Sequence, residues 1–334
     1  MAELVSIILI GFVLDMTLGD PGYRYHPIRL IGRVIALNEK ALRKIGWDGR
    51  SGGLVLSAFT ALAVLFFYLA ARRILTALNP WLSFLFDLYL AYSCLAFGDL
   101  LNHIKPVIGA LEAGDLNLTK REISKVVGRD VENLDESGLA RAALETMAEN
   151  FVDGFLSPLF WYFIGGICSI YTGVSAMGLA LGAMLLFKVA STLDSMVGYK
   201  NSAYIKFGWA GARFDDVMNF LPARVSILIL FLGAWVAGLK PFKGLKTALK
   251  DRLKHDSPNA GHAESFLAGS LDVRLGGPTK YAEGMKKKPW LGDGTPDVGV
   301  NHIYRAASLL KVSAWIALFT LLALFFFIYY VKAS

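Results

Sequence analysis

Four stretches of this chain contain no Asp, Glu, Lys or Arg: Leu54 to Ala71, Phe155 to Phe187, Val225 to Leu239 and Val312 to Val331. Two more, Leu4 to Leu18 and Trp81 to Gly98, are nearly free of charge. Segments this apolar belong in hydrocarbon, where every backbone N–H and C=O must be satisfied internally, so they fold as helices or as a closed barrel. No sustained period-two alternation runs through them, which leaves helices. A bilayer core needs roughly 20 helical residues, so Phe155 to Phe187 is too long for one crossing and is expected to turn near Tyr171-Thr172-Gly173. With 55% hydrophobic and 18% charged residues, the chain falls outside the range of ordinary soluble enzymes.

The pattern predicts one integral membrane domain over 1–334, an all-α polytopic bundle. Its apolar segments are 4–18, 54–71, 81–98, 155–170, 174–190, 225–239 and 312–331. Polar, mostly helical segments at 19–53, 99–154, 191–224 and 240–311 separate them. About six crossings are expected, with 225–239, the shortest uncharged run, re-entrant or interfacial behind Pro222 and Arg224. The basic excess in 19–53 and 240–311 places those segments in the cytoplasm by the positive-inside rule, against the opposing signal of Arg72-Arg73. Segment 4–18 lacks a basic leader and a small-residue cleavage site, and reads as retained rather than as a signal peptide. Cys94 and Cys168 both fall in apolar runs and are expected to be packing residues. The net charge of +7 is that of loops meeting lipid headgroups, not of a nucleic-acid module.

The polar segments hold the residues with chemistry to offer. Ser257-Pro258-Asn259-Ala260-Gly261-His262 and Leu275-Gly276-Gly277-Pro278, with Lys280 nearby, are turn-forming blocks whose backbone N–H groups suit an anion cradle. Arg141, Glu145, Glu149 and Asp153 follow at i, i+4 spacing beside Asn150, so three carboxylates share a helix face just before an apolar run. Such a row asks for a cation or an ammonium; a solvated face is the plainer alternative. Asp194, Asp215, Asp216 and Asn219 are candidates for a metal carrying phosphates, with Lys200, Arg213 and Arg224 as phosphate partners; a capped helix with surface ion pairs is the alternative. Asp20, His26 and Arg29 form a third, weaker group, in which a histidine beside proline is most simply a structural hydrogen-bonder. The five histidines show no zinc spacing, and there is no Walker A loop.

Six ordered blocks then carry a resemblance over nearly the whole chain: GDP with HPIRLIG in Gly19 to Gly32, GRDVENLD in Gly128 to Asp135, RAALETMAENFVDGFLSPLF in Arg141 to Phe160, TLDSMVGYKN in Thr192 to Asn201, GWAGARFDDVMNFLPAR in Gly208 to Arg224, and SPNAG with LGGP. The sequence resembles the adenosylcobinamide-phosphate synthase family of cobalamin biosynthesis, multi-pass proteins of the cytoplasmic membrane. It departs from that pattern at Ser191 and at His262-Ala263-Glu264.

The resemblance implies an ATP-dependent ligase. It joins the carboxyl of adenosylcobyric acid to the amine of (R)-1-amino-2-propanol O-phosphate or ethanolamine phosphate, most simply through an acyl phosphate. Expected site residues are Glu145, Glu149, Asp153, Asp194 and His262 for catalysis. Asp20, His26, Arg29, Arg141, Asn150, Lys200, Arg213, Arg224, Ser257, Asn259, Gly261, Gly276, Gly277 and Lys280 are expected to bind substrate, and Asp194, Asp215, Asp216 and Asn219 to hold Mg²⁺. The active site is expected to face the cytoplasm, with Tyr199, Trp209 and Trp290 against the corrinoid. A homo-oligomer or an association with other cobalamin-assembly enzymes is left open. The competing readings are a polytopic transporter and a non-catalytic AmpE-like membrane sensor.

Overall fold

The structure is a computed structural model. It describes residues 1–20, 22–128, 130–281, 284–286 and 288–333, the backbone alone at 279–281, 284–286 and 333. The fold is helical almost throughout: α1 (Ala2–Leu18), α2 (Pro27–Lys44), α3 (Arg50–Leu78), α4 (Pro80–Cys94), α5 (Phe97–Glu112), α6 (Leu116–Ile123), α7 (Glu136–Asn150), α8 (Ser157–Thr172), α9 (Ala176–Val197), α10 (Trp209–Val236), α11 (Pro241–Asp251), α12 (Ala260–Leu271) and α13 (Val300–Ala333). Between α12 and α13 lie two small antiparallel pairs, β1 (Leu275–Gly276) with β4 (Trp290–Leu291) and β2 (Thr279–Tyr281) with β3 (Gly284–Lys286).

Among the described residues six helical stretches are long and apolar enough to cross a membrane: Arg50–Leu78, Pro80–Glu112, Glu136–Thr172, Ala176–Val197, Trp209–Val236 and Val300–Lys332. In α3, the least buried of them, only 22% of the hydrophobic window is buried inside the protein. Its exposed Leu62, Phe66 and Phe67 therefore need hydrocarbon around them. Segment 225–239 differs from expectation. It is not a short helix of its own: residues up to Val236 form the second half of α10, a 28-residue helix, because Pro222 is absorbed within it. The short apolar helix is α1, with 17 residues. The turn near Thr172 and Gly173 separates α8 from α9 as expected. Cys94 is buried in α4, whereas Cys168 is exposed on α8.

The chain divides into two compact units. The first comprises Met1–Ala96, Ser157–Asn219 and Thr320–Ser334, and the second Phe97–Leu156 and Phe220–Phe319. In the first, α8 packs on α9, and α1 and α3 pack on α4. The amphipathic α2, started by Pro27 in its first turn, lays Ile31 and Ile35 against Leu56, Val189, Leu193 and Phe207. In the second, α11 packs on α12, which also meets α7. Gly261 on α12 has no room for a side chain: a Cβ there would stand 2.3 Å from the Arg252 carbonyl oxygen and 2.8 Å from the His255 Cβ.

Candidate functional site

The second unit brings together several residues singled out from sequence. Asp135 caps α7 by accepting the Gly138 N–H at 2.8 Å, and α7 then carries Arg141 and Glu145 toward β1 and β4. Glu145 Oε1 accepts the Gly276 N–H at 2.7 Å, and the Arg141 guanidinium lies over the Trp290 ring at 4.9 Å. The Gly277 N–H donates to the Pro289 carbonyl at 3.2 Å. The two glycine amides are thus engaged within the chain, that of Gly276 by a carboxylate and that of Gly277 by a backbone carbonyl. Gly276 and Gly277 both have positive φ, +73° and +80°, which β-pairing at this tight corner requires.

Around Glu145 lies a small pocket lined by Lys254, His255, Asp256, Glu264, Gly276 and Lys288. Its space is about 10 Å³, enough for about one water. His255 Nδ1 accepts the Ser257 N–H at 3.0 Å, so its Nε2 is the protonated nitrogen, 3.6 Å from Glu264 Oε1. Burial lowers the His255 pKa, and the nearby Lys288 ammonium adds to the effect. Lys254 is 2.6 Å from Asp251, a buried carboxylate that also accepts the Gly292 N–H at 2.8 Å. Ser257 accepts the Asn259 and Ala260 N–H groups, both at 3.3 Å, and so shapes the start of α12. Asn259 in turn accepts from Arg224 at 3.2 Å, and its carbonyl faces His262 Nδ1 at 3.1 Å. His262 and Arg224 line a different cavity from that of Glu145.

The three-carboxylate row does not stay in register. Residues Phe151–Leu156 wind as a π-helix, whose wider turn breaks the i, i+4 spacing after Glu149 and sets Asp153 off that face. Glu149 is exposed, and Asn150 donates to the Thr146 carbonyl at 3.0 Å, so the row is not a preformed ammonium cage. The side chain of Lys280 lies outside the described residues.

The first unit holds the other acidic group. Asp194 in α9 feels the charges of Asp216 and Lys200. Asp216 is 3.2 Å from Arg213, and both oxygens of Asp215 accept from Asn219 Nδ2 at 3.1 Å. Asn219 Oδ1 accepts the Ser157 hydroxyl at 2.6 Å, deep in the core. Asn219 is therefore a core hydrogen-bonder rather than a metal ligand. Among the described residues no set of three or more His, Cys, Asp or Glu forms a metal-binding group. Asp194 and Asp216 lie close enough to feel each other's charge, a pair of carboxylates of the kind that suits a hydrated divalent cation. At the other group, His26 is buried and pairs through Nε2 with Asp20 at 2.8 Å, beside Tyr23, while Arg29 is exposed. Tyr199 and Trp209 are exposed, the latter under Arg50 at 5.3 Å.

Residues that the sequence reading passed over include His255, Lys254, Asp251, Glu264 and Lys288. Their signal was proximity: three of them sit within six residues ahead of Ser257, and Glu264 follows it on α12. Lys188, buried in α9, was also missed because it directly follows the uncharged run that drew attention.

Fold and site together define a multi-pass helical membrane protein with polar clusters of mixed charge. The family model described as CobD/Cbib protein matches residues 8–310, and the chain belongs to that family. It is 37% identical over 315 residues to the cobalamin biosynthesis protein CobD of Klebsiella pneumoniae subsp. pneumoniae, covering 92% of this chain and 93% of that one. The CobD protein of Pelobacter propionicus is 39% identical over 293 residues, 86% of this chain and 85% of its own. The cobalamin biosynthesis protein CbiB of Salmonella typhimurium is 34% identical over 317 residues, 94% and 95% of the two chains. No solved structure matches the chain.

Proposed function

We propose that the chain acts in cobalamin biosynthesis as an ATP-dependent acid–amine ligase. It joins adenosylcobyric acid to (R)-1-amino-2-propanol O-phosphate or ethanolamine phosphate and yields adenosylcobinamide phosphate. The reading rests on family membership together with one observation: Glu145 stands in a pocket with two lysines and a histidine kept neutral by burial. A carboxylate oxygen of the corrinoid attacks the terminal phosphorus of ATP and ADP departs, which converts a poor electrophile into an acyl phosphate. The amine nitrogen then attacks the acyl carbon, phosphate leaves, and the amine's proton passes to a carboxylate base, for which Glu145 is the best placed. Lys254 and Lys288 bring positive charge to the lining of that pocket, which favours a phosphorylated intermediate nearby. Asp194 and Asp216 would hold a Mg²⁺, which would supply charge neutralisation for nucleotide phosphates. Lys200 and Arg213 lie within electrostatic range of the Asp216 carboxylate.

The test is direct. Purified protein is incubated with ATP, Mg²⁺, adenosylcobyric acid and each amine in turn, and products are read by mass spectrometry. An amide with one amine is the expected result. ATP left intact and no amide with either amine overturns the reading.

A further inference from the structure

A cavity of about 450 Å³ lies between the second half of α10 and α11, and its two ends differ in chemistry. One end carries Arg224, Arg252 and His262; the rest is apolar, with Leu228, Phe231 and Leu249 in its wall. Among the described residues no carboxylate pairs with either guanidinium. Arg224 donates to the Phe220 carbonyl and to Asn259, and Arg252 donates to the Leu249 carbonyl. Two cations thus share one cavity without an anion.

His262 sharpens the specificity. It is 1% exposed, and its Nε2 has no hydrogen-bond partner. Because the Asn259 carbonyl can only accept, Nδ1 carries the proton, and Nε2 offers a lone pair to a donor. Burial, reinforced by Arg224 and Arg252, keeps this imidazole neutral, with its pKa lowered to about 4. The cavity therefore asks for an anion, an O–H donor and a hydrocarbon chain in one molecule.

The surroundings favour a lipid as the source. α10 is one of the helices apolar enough to span a membrane, and Leu228 and Leu249 are exposed on the cavity's rim. α11 carries Lys246 and Lys250 along with exposed Phe242, the pattern of a helix lying at an anionic interface. Phe242 meets Phe231 edge-on at 5.3 Å and extends the apolar wall. A short amino-alcohol phosphate leaves that wall uncovered, and a choline headgroup brings a cation and no donor.

We propose that this cavity binds an anionic, hydroxyl-bearing glycerophospholipid of the phosphatidylglycerol type. Its phosphodiester sits on Arg224 and Arg252, a headgroup hydroxyl donates to His262 Nε2, and an acyl chain lies along Leu228, Phe231 and Leu249.

The full-length protein in detergent, titrated with dioleoyl-phosphatidylglycerol or dioleoyl-phosphatidylcholine and read by native mass spectrometry, tests it. Preferential retention of phosphatidylglycerol is expected, with a rise in melting temperature that the choline lipid does not produce. Arg252→Gln removes one charge-assisted contact and is expected to weaken retention about tenfold. Leu228→Trp fills the rim without touching the charges or the core, and is expected to lower retention as well, which separates lost binding from lost folding. Equal retention of both lipids, or retention unchanged in both variants, overturns the proposal. Displacement of the lipid by an equal concentration of glycerol 3-phosphate also overturns it, since that marks a site for a small phosphate.

Discussion

Gly276 and Gly277 show how one corner of the molecule constrains the rest. Both sit at positive φ, and a Cβ would stand 2.7 Å from the Pro289 oxygen at the first and 2.6 Å from the Trp290 ring at the second. Gly277→Ala is expected to lower stability by about 1–3 kcal/mol from backbone strain alone, more with the ring clash, as read from thermal unfolding in detergent. A buried histidine on α12 sets a pH response. The His262 pKa is lowered to about 4 by burial and by Arg224 and Arg252, against about 6.5 for a free histidine. Between those values the unfolded chain binds a proton that the folded chain refuses. The stability held by neutral His262 is therefore complete above about pH 6.5 and falls as the pH drops toward 4. The melting temperature of the wild type is expected to fall more steeply over that window than that of His262→Gln.

At the scale of elements, the α3–α4 hairpin explains the arginine that argued against the expected orientation. Arg72 Nε donates to the fully buried Asp87 at 2.8 Å, and Asp87 also accepts the Tyr68 hydroxyl at 3.3 Å. Arg72 is thus an internal partner, not a cation left for headgroups, and it carries little weight in a count of loop charges. Arg72→Leu strands a buried carboxylate and is expected to cost about 3–5 kcal/mol. Adding Asp87→Leu is expected to restore much of that, in a double-mutant cycle read by unfolding in detergent. A second element, the π-helix at Phe151–Leu156, shifts Asp153 out of the row that a uniform α-helix sets up from Arg141. No residue type in FVDGFL announces that turn, because wide turns arise from how a helix packs rather than from local propensity.

For the whole molecule, the ligase reading assigns duties to Glu145 and to Asp194, and each is expected to be necessary. Glu145→Ala and Asp194→Ala are each expected to reduce amide formation at least roughly 100-fold while the protein stays in the membrane fraction. Activity near wild type in both variants sinks the assignment of those two carboxylates. The membrane class, the helical architecture, six crossing-length helices and the family blocks were all legible in the chain, since hydrocarbon admits few backbone solutions and charge-free runs declare them. That SPNAG and LGGP set turns was legible too, from their Gly, Pro, Asn and Ser content. Partner choice was not. That Gly276 meets a carboxylate from α7, that Asn219 turns inward to Ser157, that His255 rather than His262 stands beside Glu145, and that Pro222 is carried inside α10 all depend on contacts between residues far apart in sequence. Hydrophobic patterning acts along a few helical turns and sets which segments leave water. Hydrogen-bond geometry and burial act across the packed chain, and they alone settle which polar group each buried atom meets.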